Sequence, residues 1–293
     1  MLHQISSLIR QIPLALLLLF AASLVRADLG AVEQALAEGD LAAAEALLAP
    51  LLQEDRDGEA RLAQGRLLMA QGEAKSAYKV LKEVAEVRAE DPDAHFQLGM
   101  AAAGLAANAS MFTAGKYAGV VRKSFTRALE LDPDNTNALQ GLIGFHTQAP
   151  GIVGGKKKEA LRLAQQLATI EPVEGYVALA SVHGAMGNDD LALQALETLT
   201  TEMPDEPRGW LQLGFQAQGD EDWSEANKLF GKAAEVGTDS DVHDRARASA
   251  LYQVGRTAVF SGTRQSDGIE ALTTYLERSS FEGLPGKDWA NYR

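Results

Sequence analysis

Apolar and small residues recur at fixed offsets in two adjacent stretches of 34 residues, 173–206 and 207–240. In the second stretch these positions hold Trp210, Leu213, Gly214, Ala226, Phe230 and Ala233. A spacing of three or four residues places such side chains on one face of a helix. Each stretch therefore predicts two amphipathic helices joined by a turn.

Turn and capping residues separate the predicted helices. Gly187 precedes Asn188 and Asp189, and Gly219 precedes Asp220. Glycine adopts the left-handed conformation that ends a helix, and Asn or Asp caps the helix that follows. Proline disfavours continuation of the second helix, and such prolines end several stretches: Pro133, Pro172 and Pro204.

Weaker copies of the same frame extend the pattern along most of the chain. A first copy ends with residues 41–52, and later copies span 58–91, 93–133, 134–172 and 248–281. Their matching positions hold Ala44, Leu48, Gly65, Leu81, Gly99, Phe125, Leu139, Ala160, Gly255 and Leu272. Together with the two clearest stretches, the pattern predicts about seven units.

This pattern resembles the tetratricopeptide repeat (TPR) family, in its exported or periplasmic type, where each unit folds as two antiparallel helices. The resemblance implies an all-α fold, a right-handed superhelical α-solenoid of helical hairpins over residues 28–293. A generic alanine-rich helical bundle is the alternative. Trp289 and Tyr292 begin an incomplete further unit. We therefore expect a truncated C-terminus, or an apolar end that something else covers.

Two units are longer than the 34-residue frame. Ten extra residues lie between Gly99 and Pro133, near 107–117. Five more lie between Pro133 and Pro172, in the APGIVGG segment near 149–155. Both insertions are expected as loops at equivalent turns of adjacent hairpins, where they could pack on each other.

The glycine-rich segment is followed by Lys156, Lys157 and Lys158, and so invites comparison with a phosphate-binding loop. A P-loop requires G-x-x-x-x-G-K-[ST] after a strand. Here Pro150 stands at the first glycine position and a lysine follows Lys156, which argues against nucleotide binding. The three lysines begin a predicted helix and could still bind an anion. The alternative is a solvated cluster paired with nearby glutamates.

The resemblance also implies where a partner would bind, since first helices line the concave groove at offsets 2, 5, 9 and 12 of each unit. Carried onto this chain, the predicted partner-binding residues are Arg66, Phe96, Met100, Phe215, Tyr252 and Arg256. Aromatic and arginine side chains in one groove suit an extended peptide or a partner helix. The alternative is a frame shifted by one residue, which places the aromatic side chains in the core.

The N-terminal 27 residues differ from the rest of the chain. Arg10 precedes an apolar run over 12–25, and Val25-Arg26-Ala27 places small residues at the −3 and −1 positions of a cleavage site. This layout predicts a secretory signal peptide at 1–27, cleaved near Ala27. The run is shorter than the ~20 residues of a spanning helix, so an uncleaved anchor is the weaker alternative. We expect a periplasmic or secreted protein without a stable membrane anchor.

Composition narrows the chemistry of the mature chain. It would carry 25 Lys and Arg against 40 Asp and Glu, a net charge of −15 that disfavours nucleic acid and anionic lipid as partners. Cysteine is absent, which excludes disulfides and thiolate ligands. The five histidines fall in no metal-binding spacing, and no nucleophile motif occurs. We therefore predict no cofactor, no metal site and no enzymatic activity.

The favoured hypothesis is a non-enzymatic scaffold or adaptor that binds a protein or peptide in its concave groove. One alternative is a module that binds a ligand or an envelope polymer through the 108–121 and 150–158 loops. Another is a non-catalytic subunit of an envelope enzyme or transport complex. The identity of the partner and the oligomeric state stay open.

Overall fold

The computed structural model describes residues 29–238, 240–262, 264–277 and 284–285. These residues form helices and turns, and no strand occurs among them. The prediction of an all-α fold is therefore confirmed. The predicted signal peptide and the incomplete unit around Trp289 lie outside the described residues, so both stay predictions.

The chain divides into two compact units, with the boundary between Gly155 and Lys156, directly after the glycine-rich segment. The first unit contains seven helices among its described residues and one turn of 3-10 helix at Gly151–Val153. These helices are α1 (29–37), α2 (Leu41–Glu54), α3 (Glu59–Ala70), α4 (Ala74–Val87), α5 (Pro92–Ala107), α6 (Met111–Leu131) and α7 (Thr136–Gln148).

The second unit also contains seven helices among its described residues. They are α8 (Lys157–Ile170), α9 (Pro172–Met186), α10 (Asp189–Glu202), α11 (Pro207–Gly219), α12 (Trp223–Glu235), α13 (Asp241–Ser261) and α14 (Gln265–Glu277). The order of helices and short turns matches the predicted frame of repeated helical pairs.

Helices pack in pairs, and the pairs stack within each unit. α3 packs on α4 and α5 on α6 in the first unit; α9 packs on α10, α11 on α12 and α13 on α14 in the second. First helices of successive pairs also contact each other, α3 with α5 and α5 with α7, and likewise α9 with α11 and α11 with α13. Each unit therefore presents a surface lined by α3, α5 and α7, or by α9, α11 and α13, which we call the first-helix face.

Four pairs share one close contact between a glycine of the first helix and a large side chain of the second. A Cβ on the glycine would lie 2.3–2.5 Å from that side chain, so only glycine allows this approach. Phe125 and Phe230, two of the large side chains, are at most 2% exposed. The four contacts are Gly65–Leu81, Gly99–Phe125, Gly214–Phe230 and Gly255–Leu272.

Turn residues follow the prediction at one site and depart from it at another. Gly187 ends α9 in the left-handed conformation with φ 77°, as predicted. Between α11 and α12, however, Glu221 and not Gly219 has a positive φ, of 61°. The reason is that α11 continues through Gly219, which moves the turn along the chain. Asp222 then caps α12 by accepting a hydrogen bond of 3.0 Å from the backbone N–H of Glu225.

The segment 108–121 is not the loop that was expected from the sequence. Only residues 108–110 separate α5 from α6, and the extra residues lengthen α6 to 21 residues. Ala118, Val121 and Phe125 are buried at helical spacing. Their apolar side continues through the inserted turns, which is why the segment remains helical.

The shorter insertion, near 149–155, is a tight turn. Gly154 has φ 103°, a conformation that side chains with a Cβ rarely adopt. A Cβ on Gly155 would lie 1.7 Å from the carbonyl oxygen of Ala149. Glycine is therefore required at both positions, for two different reasons.

The apolar end of the last helical pair is partly covered by residues of the same chain. Leu284 packs against the buried side chains of Ala248, Tyr252 and Tyr275, and the Tyr275 hydroxyl donates to the carbonyl oxygen of Pro285. Within the described part of the chain, no helix has the length and hydropathy needed to cross a membrane.

Replacing Gly214 by alanine is expected to lower the free energy of unfolding by about 1–3 kcal/mol, because the new methyl group would clash with Phe230. The distance from that Cβ to the ring would be 2.5 Å, and Phe230 is fully buried. Urea denaturation followed by circular dichroism measures the change.

Gly231→Ala is the matched control, because a Cβ on Gly231 in α12 would meet nothing within 4 Å. Alanine there is expected to stabilise the helix by up to ~1 kcal/mol. Equal effects of the two substitutions would contradict the close packing of α11 on α12.

Candidate partner-binding face

The predicted groove residues form two rows on the first helices. On the first helices with a tightly packed glycine, the offset-9 row consists of Arg66, Met100, Phe215 and Arg256, and the offset-5 row consists of Leu62, Phe96, Leu211 and Tyr252. On α9 the corresponding residues are Ser181, which is exposed, and Val177, which is half-buried. The residue at offset 9 directly follows the tightly packed glycine, whereas the residue at offset 5 precedes that glycine by three positions. On a helix these steps correspond to rotations of about 100° and about 60° away from the glycine direction.

The offset-9 row lies at the surface. Met100 is 40% exposed and Phe215 is 36% exposed. Arg66 and Arg256 are half-buried, as expected for arginines whose stems pack on the helix while the guanidinium stays near solvent. Met100 and Phe215 are therefore available on the first-helix faces of their own units.

Most of the offset-5 row is buried, which corrects the prediction for Tyr252, whereas partner binding by the half-buried Phe96 stays a prediction. Tyr252 is 8% exposed, and its ring centroid lies 5.7 Å from that of Tyr275. Phe96 is half-buried and stacks on Phe125 with the centroids 5.7 Å apart. The two leucines of the row are each 7% exposed. A rotation of about 60° from the glycine direction still points a side chain towards the second helix.

Phe215 combines an exposed edge with a fixed position. Its ring meets the buried ring of Phe230 edge to face, with the centroids 5.3 Å apart. Aromatic pairs of this geometry contribute about 0.5–1.5 kcal/mol beyond area burial. Phe215 therefore offers an apolar contact whose orientation is already determined before any partner arrives.

Trp223 and Phe260 extend this surface, and neither was predicted from the sequence. The guanidinium of Arg256 lies 5.4 Å from the ring centroid of Phe260, a cation–π contact, and Phe260 is 53% exposed. Phe260 stacks in turn on Trp223 at 6.1 Å. The four-residue spacing from Arg256 to Phe260 could have indicated the first contact. No local sequence pattern indicates the stacking of Trp223 on Phe260, because Trp223 belongs to another helix, α12.

In the first unit, Arg66 is already engaged by two carboxylates. It forms ion pairs with Glu33 of α1 and Asp93 of α5. A single guanidinium on α3 therefore connects three first helices. Met100 offers the exposed apolar side chain of this unit, while Arg66 mainly holds the first helices together.

A related network joins the starts of first helices in the second unit. Arg208 of α11 pairs with Glu174 of α9 and, at 2.7 Å, with Glu206. The His243 ring reaches the other carboxylate oxygen of Glu206 at 3.1 Å. Its Nδ1 accepts from the backbone N–H of Thr238, so the neutral ring carries its proton on Nε2 and donates to Glu206.

This network shifts the ionisation of its charged members. Burial opposes ionisation of Glu206, but hydrogen bonds from Arg208 and His243 outweigh it and lower the pKa of Glu206. The hydrogen bond to Glu206 and the nearby carboxylates raise the pKa of Arg208, against the effect of burial. Both groups therefore stay charged near neutral pH, and the network orders the edge of the first-helix face.

The predicted anion-binding lysines are exposed at the start of α8. Lys157 donates through Nζ to the carbonyl oxygen of Ala185, in the last turn of α9. Such carbonyls lack helical partners, and a cation near them is favourable. Glu159 pairs with Arg162 on the following turn. One lysine thus has a structural contact, and anion binding by the cluster remains a prediction.

His146 has a packing position and His95 a hydrogen-bonding one. His146 is 6% exposed, and its ring lies edge to face against Phe145 at 5.2 Å. His95 donates through Nε2 to the carbonyl oxygen of Ala89 at 2.9 Å. Across the described residues, no three His, Asp or Glu side chains are grouped as a metal site requires.

Comparisons with known proteins support the fold. A thermophilic TPR protein of Thermus thermophilus is similar over 63% of this chain and 94% of its own, with 20% identity and a TM-score of 0.52. PilF of Pseudomonas aeruginosa matches 74% of this chain and 89% of its own, with 17% identity and a TM-score of 0.48. No protein-family model and no curated protein matches the sequence. The likeness to the Thermus thermophilus protein, together with the packed helical pairs, shows the TPR helical-repeat fold, and at this identity the likeness concerns the fold alone.

Replacing Glu206 by glutamine is expected to lower the free energy of unfolding at pH 7 by about 1–3 kcal/mol, because Arg208 loses its best-buried partner. The lowered pKa means that Glu206 stabilises the fold above its unfolded pKa of about 4.3. This contribution is lost as the pH falls through the folded pKa. The gap between wild type and variant should therefore narrow in acid, as measured by urea denaturation across pH.

Glu130→Gln serves as the control, since Glu130 is 58% exposed and pairs with Arg127 on the surface. That change should alter the free energy of unfolding by no more than ~0.5 kcal/mol at any pH. A gap for Glu206→Gln that stays constant from neutral to acid pH would contradict the ionised network.

Proposed function

We propose that the protein is a non-catalytic scaffold that binds a protein or peptide partner on its first-helix face. The observation that carries this proposal is the offset-9 row, which places Met100 at the surface of the first unit and Phe215 at the surface of the second. Exposed aromatic and arginine side chains are typical of binding hot spots. Repeat proteins built from stacked helical pairs commonly bind partners on faces of this kind.

In the second unit, the partner is expected to supply an apolar side chain to Phe215 and a carboxylate to Arg256. Phe215 offers a fixed aromatic edge, and Phe260 holds the guanidinium of Arg256 in place. Groups that are ordered before binding lose little conformational entropy on association. A helix or extended segment that carries both apolar and acidic residues therefore suits this face.

We also propose that the chain is exported and acts in the periplasm or outside the cell. The apolar run over 12–25 and the small residues that end at Ala27 support this proposal. The absence of cysteine is compatible with an oxidising compartment.

Phe215→Ala is expected to reduce partner capture by at least about tenfold, because it removes the exposed aromatic edge. The free energy of unfolding should fall by less than ~2 kcal/mol, since Phe215 is partly exposed. The measurement is a quantitative crosslinking pull-down from the cell envelope, combined with urea denaturation of the purified variant.

Leu193→Ala is the matched control, because Leu193 is equally exposed, at 36%, but lies on the second helix α10. It should leave capture unchanged. Equal loss of capture with both variants would refute a binding role for the first-helix face. A stability loss of ~3 kcal/mol with Phe215→Ala would instead mark a core residue.

For export, N-terminal sequencing of the protein purified from its native cells should give a mature start near Asp28. A matched variant with Ala27→Arg should accumulate in precursor form, because the −1 position requires a small residue. An intact N-terminus on a soluble cytoplasmic protein would contradict the proposed location.

A further inference from the structure

A groove of about 660 Å³ lies between the second helices α4 and α6 of the first unit, with residues of α5 as its floor. Leu98 and Ala85 are apolar lining residues, 8% and 7% exposed, and Val120 is half-buried beside them. The groove lies among second helices and is therefore separate from the offset-9 row. It combines a partly apolar floor with long polar side chains along its walls.

The groove is basic, although the chain is acidic. Five cationic side chains line it against the two carboxylates of Glu86 and Glu130, whereas the whole chain has a net charge of −13. The cations are Lys82, Lys116, Arg122, Lys123 and Arg127. A local excess of positive charge in an acidic protein marks a place where an anionic group would be attracted.

Four of these cations, Lys82, Lys116, Arg122 and Lys123, form no ion pair with the described residues. Arg127 pairs with Glu90 at 2.9 Å and with Glu130 at 3.2 Å. Lys82, Lys116 and Lys123 are exposed, and the described residues bring no carboxylate within 4.0 Å of their amines. Their charges are therefore available to a partner.

Two tyrosines add an apolar, ordered patch next to the lysines. Tyr78 of α4 and Tyr117 of α6 meet edge to face, with the ring centroids 5.5 Å apart. The amine of Lys116 lies 6.0 Å from the centroid of Tyr117. The groove can therefore accept apolar side chains as well as carboxylates.

The inserted turns of α6 build one wall of this groove. Gly65 and Leu81 are 16 positions apart, whereas Gly99 and Phe125, which make the same contact, are 26 positions apart. The ten extra residues extend the N-terminal part of α6 and include Lys116 and Tyr117. The insertion thus supplies a charge to the groove, and its Tyr117 packs against the lining residue Tyr78.

We propose that the α4–α6 groove binds an acidic peptide segment in which carboxylates alternate with apolar side chains. The carboxylates would pair with Lys82, Lys116 and Lys123, and the apolar side chains would contact the floor. From Lys116 to Arg127 the wall extends about 16 Å, which matches about five residues of extended chain. Nucleic acids and anionic membranes carry many negative charges, so the net negative charge of the whole chain repels them at long range and disfavours them as partners.

The test uses the full chain and a fluorescein-labelled peptide of about ten residues in which Glu and Leu alternate. Fluorescence anisotropy measures its affinity for the wild type and for the triple variant K82Q/K116Q/K123Q. The matched control is K75Q/K79Q/K232Q, which removes the same charge from three exposed lysines that do not line the groove. Circular dichroism melts check that both variants stay folded.

We expect saturable binding that weakens with salt, and an affinity about tenfold lower in the groove variant. The K75Q/K79Q/K232Q variant should stay within about twofold of the wild type. A probe in which Gln replaces Glu should bind at least about tenfold more weakly. Because the first-helix face is also proposed to take acidic and apolar side chains, the two sites are separated by the binding phase that persists in Phe215→Ala and is lost in K82Q/K116Q/K123Q.

Four outcomes would overturn the proposal. The first is no binding of the Glu/Leu peptide, and the second is equal loss of affinity in both triple variants, which would indicate only general charge attraction. The third is binding of an oligothymidylate of equal charge with the same affinity and the same dependence on Lys82, Lys116 and Lys123. Self-association of the wild type that the groove variant abolishes would assign the groove to a second copy of the chain, and would also overturn it.

Discussion

The close contact between a first-helix glycine and a second-helix side chain determines where the other parts of this protein lie. Because glycine has no Cβ, a leucine or phenylalanine of the second helix fills the space beside it, as Phe230 does beside Gly214. This contact sets the distance and the rotation of the two helices. Because it recurs in four pairs, the same faces point inward and outward from pair to pair.

The candidate binding face follows from that rotation. A residue one position after the glycine turns about 100° away from the second helix and reaches the surface, as Phe215 does after Gly214. A residue three positions before it stays within about 60° and is covered, as Leu211 is. Ion pairs then hold neighbouring first helices together, through Arg66 in one unit and Arg208 in the other. The packing of the two helices therefore determines which row is exposed, and ion pairs hold neighbouring first helices in place.

Much of this organisation is encoded at short range and could be predicted from the sequence. The repeat frame and the offset-9 row depend on spacing within one helix or one pair, which the pattern shows directly. Tyr252 in the offset-5 row was misassigned because a rotation of only about 40° between the rows decides which one is covered. Its burial depends on packing against Tyr275 of the second helix α14, which the pattern within one helix does not show.

Features that join distant parts of the chain could not be predicted. Glu206 and His243 are 37 positions apart, and their hydrogen bond depends on side-chain conformations at two helix starts. The basic groove went unrecognised because the inserted segment, with its glycines at 115 and 119, was interpreted as a loop. Once that segment is helical, Lys116 and Lys123 line the same groove as Lys82 of α4.

The rate of thiol labelling at single cysteines tests the two-row arrangement most directly, because the chain has no cysteine of its own. Three pairs of variants compare the rows: Leu62→Cys with Arg66→Cys, Leu211→Cys with Phe215→Cys, and Tyr252→Cys with Arg256→Cys. The offset-9 cysteines should react at least about tenfold faster, since covered thiols must wait for local opening. Equal rates within the pairs, or faster reaction at offset 5, would contradict the assignment of the first-helix face.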